Sequence, residues 1–182
     1  LPENAYQVHL LEDAQGEPAT MRPYQKEIWR DETRNKVFNW HRRSGKTMIA
    51  SAKMIVSICQ NFKHRYWYLG PYQKQAKSIV WEMVKIMVKK CVDYQKNFKI
   101  NETELSIKYL PTDSIFEVKG ADNPDSLRGA GLNGVIMDEM RDIDRSVYTL
   151  VVRPMLSLTR GWTWMISTPR GQGAFYEYFM KG

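Results

Sequence analysis

His41-Arg42-Arg43-Ser44-Gly45-Lys46-Thr47 decides the fold. The run follows the apolar stretch Val37-Phe38-Asn39-Trp40 and reads as a strand feeding a phosphate-binding loop that opens a helix. Gly45-Lys46-Thr47 matches the working end of the pattern G-x-x-x-x-G-K-[ST]. Backbone N–H groups at such a helix start point at phosphate oxygens, and the helix dipole favours negative charge there. The Lys of the pattern reaches the β- and γ-phosphates, and the Thr hydroxyl helps to hold Mg²⁺. Trp40 stands where the pattern has its first Gly. Gly-Lys-Thr alone is common, so its weight comes from what surrounds it.

Around the loop, apolar strand-like runs alternate with helical periods. Pro23 suits a helix start within Met21–Asn35. Lys46–Gln60 has helical spacing, Arg65–Leu69 reads as a strand closed by Gly70-Pro71, and Tyr72–Cys91 as one long helix. Leu105–Tyr109 and Ile115–Lys119 read as a hairpin. Gly134–Met137 and Trp162–Ser167 read as strands. Val147–Leu156 reads as a helix that Pro154 should bend or end, and Gly173–Met180 as a final helix. Two of the strands are almost wholly apolar. That pattern predicts an α/β fold with a mainly parallel sheet covered on both faces. Residues 1–20 are polar and read as an N-terminal arm or irregular lead-in, with one domain over 21–182.

Composition narrows the function classes. The 182 residues suffice for a domain with a real core. No apolar run approaches a membrane span, and the start Leu1-Pro2-Glu3-Asn4 lacks the apolar segment of a signal peptide. Beginning at Leu, the chain reads as an excised fragment. Cys59 and Cys91 have no metal-ligand spacing and read as reduced, packed thiols of an intracellular protein. A net charge of +7 is compatible with a polyanionic partner. Lys85, Lys89, Lys90, Lys96 and Lys99 are candidates for that contact, although a solvated helix face explains most of them.

Further pieces carry chemistry behind the loop. Val135-Ile136-Met137 runs into Asp138-Glu139, which places two acids at a strand end, where open α/β sheets bind ligands. The first acid of such a pair helps to hold Mg²⁺ and the second can deprotonate an attacking water. Taken alone, two solvated acids at a strand end would be as good a reading. Ser167-Thr168-Pro169-Arg170-Gly171 ends another strand; Thr168 could sense the γ-phosphate, although taken alone the segment is better explained by ordinary turn chemistry. Arg42, Arg43 and Arg128 are candidates for stabilising the charge of a phosphoryl-transfer transition state. A solvated or DNA-facing role is the simpler account of Arg43, and the two accounts of Arg128 balance. In Arg22-Pro23-Tyr24-Gln25, the Gln25 amide could read an adenine edge and Tyr24 could stack on the base; a packed aromatic and a surface amide are equally compatible.

In order, Tyr24-Gln25, Arg42–Thr47, Gly70-Pro71-Tyr72 with Gln75-Ala76-Lys77, Ser126-Leu127-Arg128-Gly129, Val135–Glu139 and Ser167–Gly171 resemble the ATPase domain of tailed-bacteriophage terminase large subunits. The resemblance covers roughly residues 20–182. It implies an additional-strand, RecA-like (ASCE) P-loop ATPase that uses ATP and Mg²⁺ to drive double-stranded DNA into a procapsid. Residue by residue, it implies that Lys46 binds the β/γ-phosphates within the nucleotide loop His41, Arg42, Arg43, Ser44, Gly45, Lys46 and Thr47. Thr47 and Asp138 would hold Mg²⁺, and Glu139 would be the catalytic base. Arg42 would be the loop arginine and Arg128 the candidate finger. Thr168 would couple hydrolysis to motion, and Gln25 would read adenine. It also implies a homo-oligomeric ring, a pentamer in motors of this class, on a procapsid portal in the host cytoplasm, a small terminase subunit as partner, and no membrane. Family members carry a C-terminal nuclease domain. With no later cluster of acids, this chain reads as the motor domain without nuclease activity. Met140 and Arg141 stand where small residues are common in the family, and His41 where a small residue often precedes the loop arginine. Two readings compete with the motor: a helicase-like ATPase fragment, and a nucleotide-gated DNA-binding or assembly module with little intrinsic ATPase. A metabolic P-loop kinase would also need an acceptor pocket and a lid, for which the sequence offers no clear candidate.

Overall fold

A computed structural model describes residues 21–41, 43–129, 131–168 and 174–181. The expected arm at 1–20, Arg42, Ala130, Pro169-Arg170-Gly171 and Gly173 lie outside the described residues. Helix α1 (Pro23–Arg30) has Pro in its first turn, where a missing N–H costs nothing. It leads to β1 (Asn35–Asn39) and then to α2 (Lys46–Gln60). Strand β2 (Arg65–Gly70) is followed by α3 (Gln73–Ala76), a wide π turn (Lys77–Trp81) and α4 (Glu82–Lys89). The junction residues keep right-handed helical angles, so the expected long helix forms with one widened turn inside it.

Next come a short α5 (Tyr94–Asn97), β3 (Phe98–Asn101), β4 (Ser106–Tyr109) and β5 (Ser114–Gly120). The last two form the expected hairpin; β3 adds an outer strand absent from the sequence reading, held through Phe98 opposite Tyr109. Strand β6 (Gly134–Asp138) precedes a 3₁₀ turn (Met140–Asp142). A second π turn (Val147–Val152) then runs into α6 (Arg153–Thr159), β7 (Trp162–Ser167) and α7 (Ala174–Lys181). Pro154 was expected to bend or end its helix. The helix instead continues to Thr159, with Pro154 in the first turn of α6 directly after the wide turn. A π turn alters the local hydrogen-bond pattern, so the missing N–H falls where a regular ladder is already interrupted. The stop comes at Arg160, in left-handed conformation.

All seven strands form one sheet in the order β1-β7-β6-β2-β5-β4-β3. The first four pairings in that order are parallel, and the two at the β3 edge are antiparallel. Side chains alternate between two cores, as a doubly covered sheet requires. Phe38, Tyr66, Tyr68, Ile136, Trp164 and Ile166 pack on the α2 and α4 side. Trp67, Leu69, Val135, Met137 and Met165 pack beneath the second π turn and α6. Burial on both faces fixes the register, since a slip of one residue would exchange the two sets. The parallel strands β1, β7, β6 and β2 therefore deliver their carboxyl ends to one edge.

Candidate nucleotide site

At that edge the loop after β1 closes onto α2. Arg43 has φ 61° and Gly45 φ 80°. Gly45 sits at the helix N-cap, and a Cβ there would come within 2.7 Å of the Gln25 side-chain nitrogen. Glycine is thus required twice, by conformation and by space. Lys46 folds over the loop, its Nζ donating to the carbonyls of Trp40 at 2.9 Å and His41 at 2.8 Å.

Helix α1 supports the loop from beneath. Tyr24 Oη and Gln25 Nε2 both donate to the Ser44 carbonyl, at 2.9 and 3.3 Å. Gln25 Oε1 accepts from the Arg22 N–H at 2.9 Å, and Gln25 is 1% exposed. The amide expected to read adenine is thus engaged with the protein on both its oxygen and its nitrogen. Tyr24 packs edge-on against Trp40, with ring centroids 5.0 Å apart.

The acids stand two strands away, at the end of β6. Asp138 is 6% exposed. One of its carboxylate oxygens accepts a very short hydrogen bond from Tyr68 Oη, and the other accepts the Glu139 N–H at 3.0 Å. Burial pushes the Asp138 carboxyl above its ordinary range, and those two hydrogen bonds oppose the shift. Burial also pushes the Tyr68 hydroxyl far up, so it stays a donor. The Thr47 side chain, at the start of α2, opposes that rise.

Glu139 has φ 49° and caps the 3₁₀ turn. Its Oε2 is 3.5 Å from Arg141 Nη2. Arg141 Nη1 donates to Thr168 Oγ1 at 2.9 Å and to the Thr168 carbonyl at 3.3 Å. Strand β7 lies between β1 and β6, so Ser167 and Thr168 end the strand that separates the loop from the acids. Asn39 Oδ1, Ser44 Oγ, Ser167 Oγ and Glu139 Oε2 are buried without a hydrogen-bond partner among the described residues.

Of the residues singled out in the sequence, the structure gathers Tyr24, Gln25, His41, Arg43, Ser44, Gly45, Lys46, Thr47, Asp138, Glu139 and Thr168 along this edge. Arg42 lies outside the described residues. Arg128 follows a 3₁₀ turn (Pro124–Leu127), is more than half exposed, and pairs with Asp125 at 3.1 Å. Lys85, a candidate for DNA contact, spends its charge on Glu82 at 2.7 Å and Glu102 at 2.8 Å. Tyr68 and Arg141 join the site without having been singled out for it. Tyr68 is a hydroxyl in the middle of a buried strand, and Arg141 is a charge two residues past the acid pair; either oddity was the available signal.

An additional strand between the loop strand and the acidic strand defines a P-loop NTPase fold of the ASCE type. The family model for the terminase large subunit, T4likevirus-type, N-terminal, matches residues 37–182. The terminase large subunit of Thermus phage G20c is 32% identical over 173 residues, covering 85% of this chain and 35% of that protein. The large subunit of Thermus virus P23-45 matches to the same extent. The chain belongs to the terminase large-subunit family and spans about a third of the length of these curated relatives. Among solved structures, the ATPase domain of the Thermus phage P74-26 large terminase superposes with a TM-score of 0.81 at 29% identity, covering 90% of this chain and 70% of that one. The HK97 large terminase shares the fold, with a TM-score of 0.76 at 14% identity over 91% of this chain and 37% of its own. No described helix is long and apolar enough to cross a membrane.

Proposed function

We propose that this chain is the ATP-hydrolysing motor domain of a viral DNA-packaging terminase, coupling hydrolysis to translocation of double-stranded DNA into a procapsid. The observation that carries the reading is the placement of Lys46 in its loop on one side of the β7 end and Asp138-Glu139 on the other. A triphosphate laid across that end would meet cationic and N–H donors at the helix start and carboxylates opposite. In this reading Lys46 and the loop N–H groups bind the phosphates, and Glu139 takes the proton of the attacking water. Thr168 relays loss of the γ-phosphate. Gln25 and Tyr24 hold the loop; to read adenine, Gln25 would have to release Arg22 or Ser44. Arg42 in the loop, or Arg128 from a neighbouring subunit, would complete charge stabilisation.

The residues fit Mg²⁺. Thr47 would offer a hydroxyl from the start of α2 and Asp138 a carboxylate from the end of β6, and Mg²⁺ in such sites takes few protein ligands, the rest being phosphate oxygens and water. Bound there, Mg²⁺ would neutralise charge on the transferring phosphoryl group.

In the same reading the domain works within a homo-oligomeric ring on a procapsid portal, with a small terminase subunit as partner, in the host cytoplasm. No nuclease activity is assigned to these residues. The test is nucleotide binding and ATP turnover by the full chain, wild type against Lys46→Ala and Glu139→Gln. Lys46→Ala should lose binding and turnover. Glu139→Gln should keep binding and lose about 10²–10⁴-fold in turnover, the usual share of a general base. Wild-type turnover by Glu139→Gln would end the base assignment.

A further inference from the structure

Arg141 engages three residues at once. Nη1 is 2.9 Å from the Thr168 hydroxyl, Nη2 is 3.5 Å from the Glu139 carboxylate, and Nε is 3.3 Å from Asp142. Its side chain is only 17% exposed, and the turn that carries it is pinned by Met140 and Ile143, both buried in the core beneath β6. A guanidinium is a rigid planar fork, so its nitrogens cannot move independently. A shift of the Thr168 hydroxyl therefore displaces Nη2 relative to Glu139. The contact to Glu139 is longer than a hydrogen bond, and Oε2 has no other partner among the described residues. The carboxylate is thus tethered while keeping its acceptor capacity for an incoming group.

We infer that Arg141 is a positioning residue that ties the orientation of the Glu139 carboxylate to the Thr168 hydroxyl at the end of β7. The base is then aligned according to the state of the strand end that lies between loop and acids. Arg141 does not touch the nucleotide in this scheme, and the inference rests on Glu139 being the base.

The experiment measures kcat, KM and the Kd of a non-hydrolysable ATP analogue in the full chain. The variants are Arg141→Met, Thr168→Val, their combination, Thr168→Ser and Glu139→Gln. Arg141→Met and Thr168→Val should each lower kcat about 10–100-fold, the scale of a misplaced reacting group, with Kd within about twofold of wild type. The double variant should be no slower than the worse single one, because residues that act as a unit are not additive. Thr168→Ser, which keeps the hydroxyl, should restore most of the rate. Multiplying effects in the double variant, or wild-type kcat in Arg141→Met, would overturn the bridge.

A second readout needs no turnover. In nucleotide-free protein, the NMR signals of the Arg141 guanidinium should report slow rotation in wild type, and faster rotation in Thr168→Val and in Glu139→Gln. Unchanged rotation in both also overturns it. Active Glu139→Gln with these NMR effects intact would instead refute the base assignment and leave the tether standing.

Discussion

The two sides of the candidate nucleotide site are held by different means. On the loop side, the groups being held are backbone: Lys46 donates to two carbonyls, and Tyr24 and Gln25 donate to a third. On the acid side the groups being held are mostly side chains: Tyr68 and Arg141 reach across the sheet to Asp138 and Thr168, and Arg141 also holds its near neighbour Glu139. Backbone geometry demands particular residues, above all Gly45, and tolerates little else. Side-chain geometry can be retuned one residue at a time. The loop side is thus the fixed half of the site and the acid side the adjustable half.

That contrast makes Gly45→Ala the harshest test. It combines a φ of 80°, which costs a non-glycine residue about 1–2 kcal/mol, with a Cβ 2.7 Å from Gln25. Nucleotide affinity, measured by calorimetry, should fall at least tenfold; a loss under twofold would mean that the loop is not rigid.

A smaller effect is expected of Gln25→Leu, which removes the hydrogen bonds to Arg22 and Ser44. At about 1 kcal/mol net, affinity should drop roughly fivefold, equally for ATP and GTP, if Gln25 only supports the loop. A loss confined to ATP would show that it reads adenine.

The gentlest is Asp138→Asn in nucleotide-free protein. Burial raises the Asp138 pKa, so its charged form weakens the fold above that pKa, and protonation relieves the cost as pH falls through it. The variant should melt higher than wild type at pH 8, and the gap should shrink as pH is lowered into the carboxylate range. Equal melting at pH 8 would place the burial cost elsewhere.

The same division explains what could be read from the chain. The loop, the acid pair and the strand before each follow from local rules, because glycine, lysine and a run of apolar residues state their own geometry. The hairpin Ser106–Gly120 was also local. Strand β3 was missed because its alternation, Phe98-Lys99-Ile100-Asn101, lasts only four residues, too few to mark a strand until Phe98 meets Tyr109 across the antiparallel pair. Pro154 does not end its helix, because the wide turn before it spares the donor, and such a turn leaves no local mark in the sequence. Tyr68 and Arg141 escaped because one partner of each, Asp138 for Tyr68 and Thr168 for Arg141, is supplied by strand order.

Strand β7 has one more implication. Adjacent strands lie about 4.8 Å apart, so inserting β7 sets the ends of β1 and β6 roughly 10 Å apart. That span is a count of strands and belongs to the topology. Selection can vary what lines the gap, but no single substitution can change its width, so the aperture between loop and acids is inherited with the fold.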